Sequence, residues 1–136
     1  MAFKVYRGKT KQEWYPVTVS TVLAKDTAVE WTSGFIAAAD ANDTFVAGVI
    51  NKAIAATDSD YATARKVAVV VPMEPNVVWE ADATGFTVGG TDEGVEYALS
   101  DAGTVDQTDT SNDVFLVTEV LSATKVRGYM RINGSY

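Results

Sequence analysis

The residues with chemical potential in this chain are mostly oxygen donors. Between Val67 and Thr124 stand eleven acids and no Lys or Arg, and seven of those acids crowd into 92–113. Paired carboxylates can perform acid–base hydrolysis. These lie among Gly, Thr, Ser and Asn, where nothing apolar would raise a pKa or exclude water, so they read as a solvated surface. Asp40-Ala-Asn42-Asp43 and Asp58-Ser-Asp60 space their oxygens as Ca²⁺ favours, but Asp, Asn and Ser are equally what turns and helix caps demand. RGKT at 7–10 suggests a phosphate loop until the missing glycine is noticed: the motif needs Gly where Phe3 stands. GFTVGG at 85–90 fails the dinucleotide pattern and reads as a turn or bulge among strands. With no His and no Cys, the usual general base, thiol nucleophile and commonest metal ligands are all missing. The expectation is a protein that is no enzyme, with no catalytic, cofactor or metal site.

What remains is chemistry of contact. Residues 1–16 carry Lys4, Arg7, Lys9 and Lys11 against the single acid Glu13, and end in Trp14 and Tyr15. Cations beside large aromatics are the composition of an interface anchor, so these six residues are the candidate partner-binding set. Trp31 and Trp79 fall in expected strands, where core packing is the default.

The elements that hold these residues are strands. The chain has 20 Val and 16 Thr but only 4 Leu. Branching at Cβ restricts helical rotamers and suits a pleated surface. VTVSTVL alternates with period two, and DTAVEW, FVAGVIN, KVAVVV, NVVWEAD, GVEYALS, DVFLVTEVL and KVRGYMRI read as further strands. Ser33-Gly34 is spaced for a tight hairpin between DTAVEW and FIAA, and Pro72 and Pro75 end KVAVVV. Only 51–66, NKAIAATDSDYATARK, has the Ala content and capping residues of a short helix. DAGTVDQTDTSND at 101–113 reads as a long exposed loop. The reading is mainly β: a small β-barrel or β-sandwich over 17–136, with at most one short helix at about 51–66, preceded by an extended N-terminal arm at 1–16.

Length and charge narrow the classes. At 136 residues one domain is expected, burying roughly two-thirds of its unfolded surface without disulfides. A net charge of −7 argues against binding to a nucleic-acid backbone. No apolar run is long enough to span a bilayer. No basic segment followed by an apolar one opens the chain, so synthesis in a cytoplasm is expected.

The order of elements resembles a known family. DTAVEW, a Gly turn, FIAAAD, FVAGVINKA and KVAVVV are similar to the core of tailed-phage capsid decoration proteins, also called cement or head-stabilising proteins. The second half, TVGGTDEGVEYALSDAGTVDQTDTSNDVFLVTEVLSATKVRGYM, has the same rhythm of Gly turn, strand, polar loop and final hairpin, so the likeness covers roughly 17–130. The arm matches no family pattern. The resemblance implies a cofactor-free structural protein on the outer surface of the virion capsid, made in the host cytoplasm. Its partners would be the major capsid protein and its own copies, as a homotrimer at local three-fold sites. The arm would then lie along the coat lattice, its cations meeting acidic coat residues and Trp14-Tyr15 anchoring. Another virion component, such as a tail or head-fibre base, is the neighbouring reading. A cellular carbohydrate- or protein-binding β module is the third, and would place Trp31 or Trp79 exposed in a groove.

Overall fold

The computed structural model describes residues 2–136. Its elements in chain order are β1 Phe3–Arg7, β2 Thr10–Val17, β3 Ala28–Thr32, β4 Phe35–Ala38, β5 Gly48–Ile50, β6 Arg65–Pro72, β7 Val78–Thr84, β8 Glu96–Asp101, β9 Thr104–Asp106, β10 Phe115–Ser122 and β11 Lys125–Met130. Among the described residues there is no helix, and so none long and apolar enough to cross a membrane. The chain is all β, as its Val and Thr content leads one to expect.

Two strand systems share one core. The first is a closed five-stranded barrel in the order β2-β4-β3-β5-β6. Its backbone is the ladder between β2 and β6, which runs unbroken through eight antiparallel pairs from Thr10↔Pro72 to Val17↔Arg65. Period two on β6 sends Val69 and Val71 inward while Lys66, Ala68 and Val70 face out. The second system is a six-stranded sheet, β1-β7-β11-β10-β8-β9. Its last strand returns to β7 through Ala83↔Val105 and Thr84↔Asp106, so hydrogen bonding runs a full circuit from β7 back to β7. β1 lies beside the first half of β7, outside that circuit.

Tight turns set the registers. Ser33 and Gly34 both have positive φ, 50° and 85°, and connect the Thr32↔Phe35 pair as the sequence predicts. Trp79, Phe3, Phe115 and Leu99 are among the largest buried side chains. The systems are tied by backbone bonds, from Ala28 N–H to the Ala102 carbonyl at 2.8 Å and from Val46 N–H to the Arg131 carbonyl at 3.0 Å.

Four local expectations need correction. The segment read as an extended arm is built into both systems: β1 pairs with β7, β2 is a full barrel strand, and Phe3 is buried. One face of β2 is solvated, so its Lys, Gln and Glu hide the alternation that normally marks a strand. VTVSTVL contributes only Val17 to a strand. Ser20 turns the chain with φ 58° and is held by Tyr61, leaving Val19 and Val22 exposed. The segment 51–66 holds no helix: Ile54 bridges Leu23, Arg65 and Lys66 begin β6, and between them the N–H groups of Asp58, Tyr61 and Thr63 each bond the carbonyl three residues earlier in a run of turns. The 101–113 stretch is not one open loop either, since it holds β9 with Val105 fully buried.

Candidate functional site

The six candidate contact residues are divided by the pleat. On β2, Trp14 lies directly opposite Ala68 on the outer face of the barrel and is 61% exposed. Tyr15, one residue on, must face the other way. Its ring lies 4.5 Å from that of Trp31, whose indole N–H donates to Asn133 Oδ1 at 3.1 Å. Tyr15 is therefore half-buried, packed against the core and Trp31, and of the two neighbouring aromatics only Trp14 stands exposed. Lys11 is held by Glu13 at 2.9 Å, and that hydrogen bond raises the ammonium's pKa. Lys4 and Arg7 sit on β1, with Lys9 in the turn after Gly8.

The distribution of ion pairs is uneven. Every cation in the last twelve residues is neutralised. Lys125 lies 3.6 Å from Asp82, Arg131 pairs with Glu96 at 3.3 Å, and Arg127 bridges Glu80 at 3.2 Å and Glu119 at 2.8 Å. Arg127 also stacks 3.6 Å over the Tyr6 ring. In the first half, Arg65 pairs with Asp58 and Asp60. Among the described residues, Lys4, Arg7, Lys9, Lys25, Lys52 and Lys66 have no carboxylate within bridging distance. These six unpaired cations all precede Val67, on a chain whose net charge is −7.

Four of them converge on two adjoining grooves. A groove of about 700 Å³ is lined by Trp14, Lys52, Lys66, Ala68 and the Arg65 ion-pair cluster. A smaller one of about 330 Å³ lies between β1 and the outer face of β5 and β6, lined by Lys4, Lys25, Val49, Val70 and Trp79, with Asp26 as its acid. Asn51 borders both. Sequence reasoning located Lys4 and Trp14 but missed Lys25, Lys52 and Lys66. The only signal for Lys66 was its period-two kinship with Ala68, and Lys25 and Lys52 arrive only through long-range pairing around Leu23↔Ile54.

The carboxylates of 92–113 are spent mostly on local structure. Asp92 is buried and accepts the Tyr97 hydroxyl at 2.7 Å, while burial first, and then Asp92, push that phenol up to about 12. Asp106 and Asp109 accept from the backbone of Thr108 and Ser111, and the Ser111 hydroxyl holds Asp109 below its ordinary pKa. Burial raises the Asp113 carboxyl, one oxygen of which is enclosed without a partner. These are turn-forming and packing roles.

One acidic cluster goes beyond what the sequence spacing indicated. Glu30, on β3, joins Asp40 and Asp43, with carboxylate oxygens from the three within 4.8 Å of one another. A hydrogen bond with the Asp43 carboxylate, then burial, then the Asp43 charge raise Glu30 from its ordinary 4.5 to about 7. The two aspartates already accept backbone N–H groups of their own turn, at 2.8 Å each. Asp58 likewise accepts the Ala55 N–H at 2.9 Å. Both oxygen-rich segments thus have structural employment.

Compared with family models and with curated proteins, the sequence finds no match.

Proposed function

We propose that this chain is a non-enzymatic virion protein, a capsid decoration protein that binds the outer surface of a tailed-phage head and cements neighbouring coat subunits. It would act as a homotrimer at local three-fold sites. The observation that carries this reading is the gathering of four unpaired cations, Lys4, Lys25, Lys52 and Lys66, along two adjoining grooves, one of them lined by exposed Trp14, on a chain whose net charge is −7. Six cations left without internal partners are available to an acidic partner surface, and a protruding Trp is a common hot-spot residue. Each copy needs only a modest interface, because many copies joining the same subunits sum to a large effect through avidity. The strand order that resembles the decoration family adds the choice of a phage head as partner.

The contact surface differs from the extended arm that the sequence suggests. Arg7, Lys9 and Lys4 would act from β1 and its turn, and Trp14, Lys52 and Lys66 from the barrel wall. The carbohydrate reading required Trp31 or Trp79 exposed in a groove. Trp79 is 2% exposed, and Trp31, though 38% exposed, carries Tyr15 against its ring and lines neither groove.

The test is cosedimentation of the purified protein with expanded heads that lack it. Saturable binding that weakens steeply with added salt is expected, together with loss of binding in the Lys52→Glu/Lys66→Glu variant. Absence of binding to such heads at low salt would reject the reading.

A further inference from the structure

We propose that the outward edge of β1, with the groove beside it, binds an extended acidic segment of a partner protein by accepting it as an additional strand. The direction of the β1 backbone comes from two hydrogen bonds. Asp82 N–H donates to the Ala2 carbonyl at 2.8 Å, so Ala2 and, by alternation, Lys4 aim their backbone groups at β7. Phe3 and Val5 aim theirs the other way, and Phe3 N–H accordingly donates to the Asp26 carbonyl at 2.9 Å. β1 pairs with no strand except β7. The Phe3 carbonyl and both backbone groups of Val5 therefore face the 330 Å³ groove. An unpaired edge of this kind is a template for strand addition.

The groove also sets the occupant's chemistry. Half-buried Val5 and Val70 give it apolar surface above the buried floor of Val49 and Trp79, and Lys4 and Lys25 add two unpaired cations against Asp26. Side chains of an added strand alternate between two faces. One set would meet the apolar lining and the other would reach the lysines, which selects an alternating apolar–acidic segment. Charge on an edge strand also deters aggregation, but a mere guard has no need of an apolar groove beside it. A second copy of β1 is a poor occupant, because antiparallel pairing of two such edges would oppose Lys4 and Lys25 with their own copies. The chain's own acidic stretch at 101–113 is committed to β9 and to Asp-capped turns. This inference rests on the reading of the chain as a protein-binding module, and does not require the partner to be a coat subunit.

The experiment uses the full chain, labelled for amide NMR, and a blocked seven-residue peptide alternating Val and Glu. A peptide alternating Val and Lys is the control. Binding of the Val/Glu peptide should shift the Val5 amide and slow its hydrogen exchange, and should exceed Val/Lys binding by about tenfold or more at low salt. The Lys4→Glu/Lys25→Glu variant should reverse that preference. Val5→Pro removes an outward N–H that gives nothing to β7, and should abolish binding. Should that variant misfold, N-methylating alternate amides of the Val/Glu peptide performs the same test from the other side. Equal binding of the two peptides, undiminished binding of the N-methylated one, or shifts confined to residues away from β1 would overturn the proposal. Peptide binding without head binding would leave strand addition standing and remove only the capsid reading.

Discussion

Gly48→Ala is the most informative single substitution for the barrel. Gly48 opens β5 with φ 151°, in a region that residues with a Cβ rarely adopt, and it pairs with Val29 of β3. A Cβ there would lie 2.5 Å from Val69 Cγ1 and 2.6 Å from the Val70 carbonyl oxygen. Ordinary carbon contacts are about 3.5–4.0 Å, so something must move by roughly 1 Å. Val69 and Val70 belong to β6, which is hydrogen-bonded on one side to β2 and on the other to β5, so β6 has little room to retreat. Backbone strain costs about 1–3 kcal/mol and overpacking about 1–3 kcal/mol. The combined loss of roughly 2–6 kcal/mol is large against a typical stability of about 5–15 kcal/mol. Gly89→Ala is the control, with φ 73° and no atom within 4 Å of the added Cβ. It carries the conformational cost alone, about 1–2 kcal/mol. Urea unfolding followed by tryptophan fluorescence reads both variants, since Trp79 is buried in the folded chain. Gly48→Ala should lose at least about 1 kcal/mol more than Gly89→Ala. Equal losses would refute the close-packed strand crossing.

Three other perturbations probe separate parts of the molecule. Trp79→Ala should cost about 3–5 kcal/mol, whereas Trp14→Ala should stay within about 0.5 kcal/mol; denaturant midpoints with unchanged slopes would check both. Deleting residues 2–17 removes β1 and the eight-pair β2 ladder of β6, which opens the barrel, so the product should show no cooperative thermal transition by circular dichroism. Glu30 holds its proton more tightly folded than unfolded, with the folded pKa about 7 against an ordinary 4.5. Its contribution is complete below the lower value and is lost as pH rises through the upper one. Glu30→Gln should therefore gain on the parent protein between about pH 5 and pH 8 in thermal midpoint, and parallel curves would contradict the raised pKa.

The sequence was most legible where a strand is buried on one face and ends in a strong turn. KVAVVV followed by Pro72, and DTAVEW followed by Ser33-Gly34, stand where alternation and turn chemistry place them. It misled where exposure erased or imitated the pattern. β2 reads TKQEWYPV, a strand whose polar outer face looks like a disordered arm, while VTVSTVL alternates well yet leaves Val19 and Val22 in solvent. Barrel closure depends on pairings between distant segments, and no local period encodes them. The basic face has the same origin. Lys4, Lys25, Lys52 and Lys66 are far apart in the chain, and it takes β1–β7 pairing and the Leu23↔Ile54 bridge to set them along adjoining grooves. Trp14 was legible as lying outside the core, where it is exposed, but Tyr15 was not separable from it without knowing which face of β2 is covered.

The proposed capsid role is tested most directly by counting this protein in purified virus particles from its source, using quantitative mass spectrometry against the major coat protein. A lattice-wide decoration role predicts a ratio near one copy per coat subunit. A handful of copies per particle, or none, would contradict it.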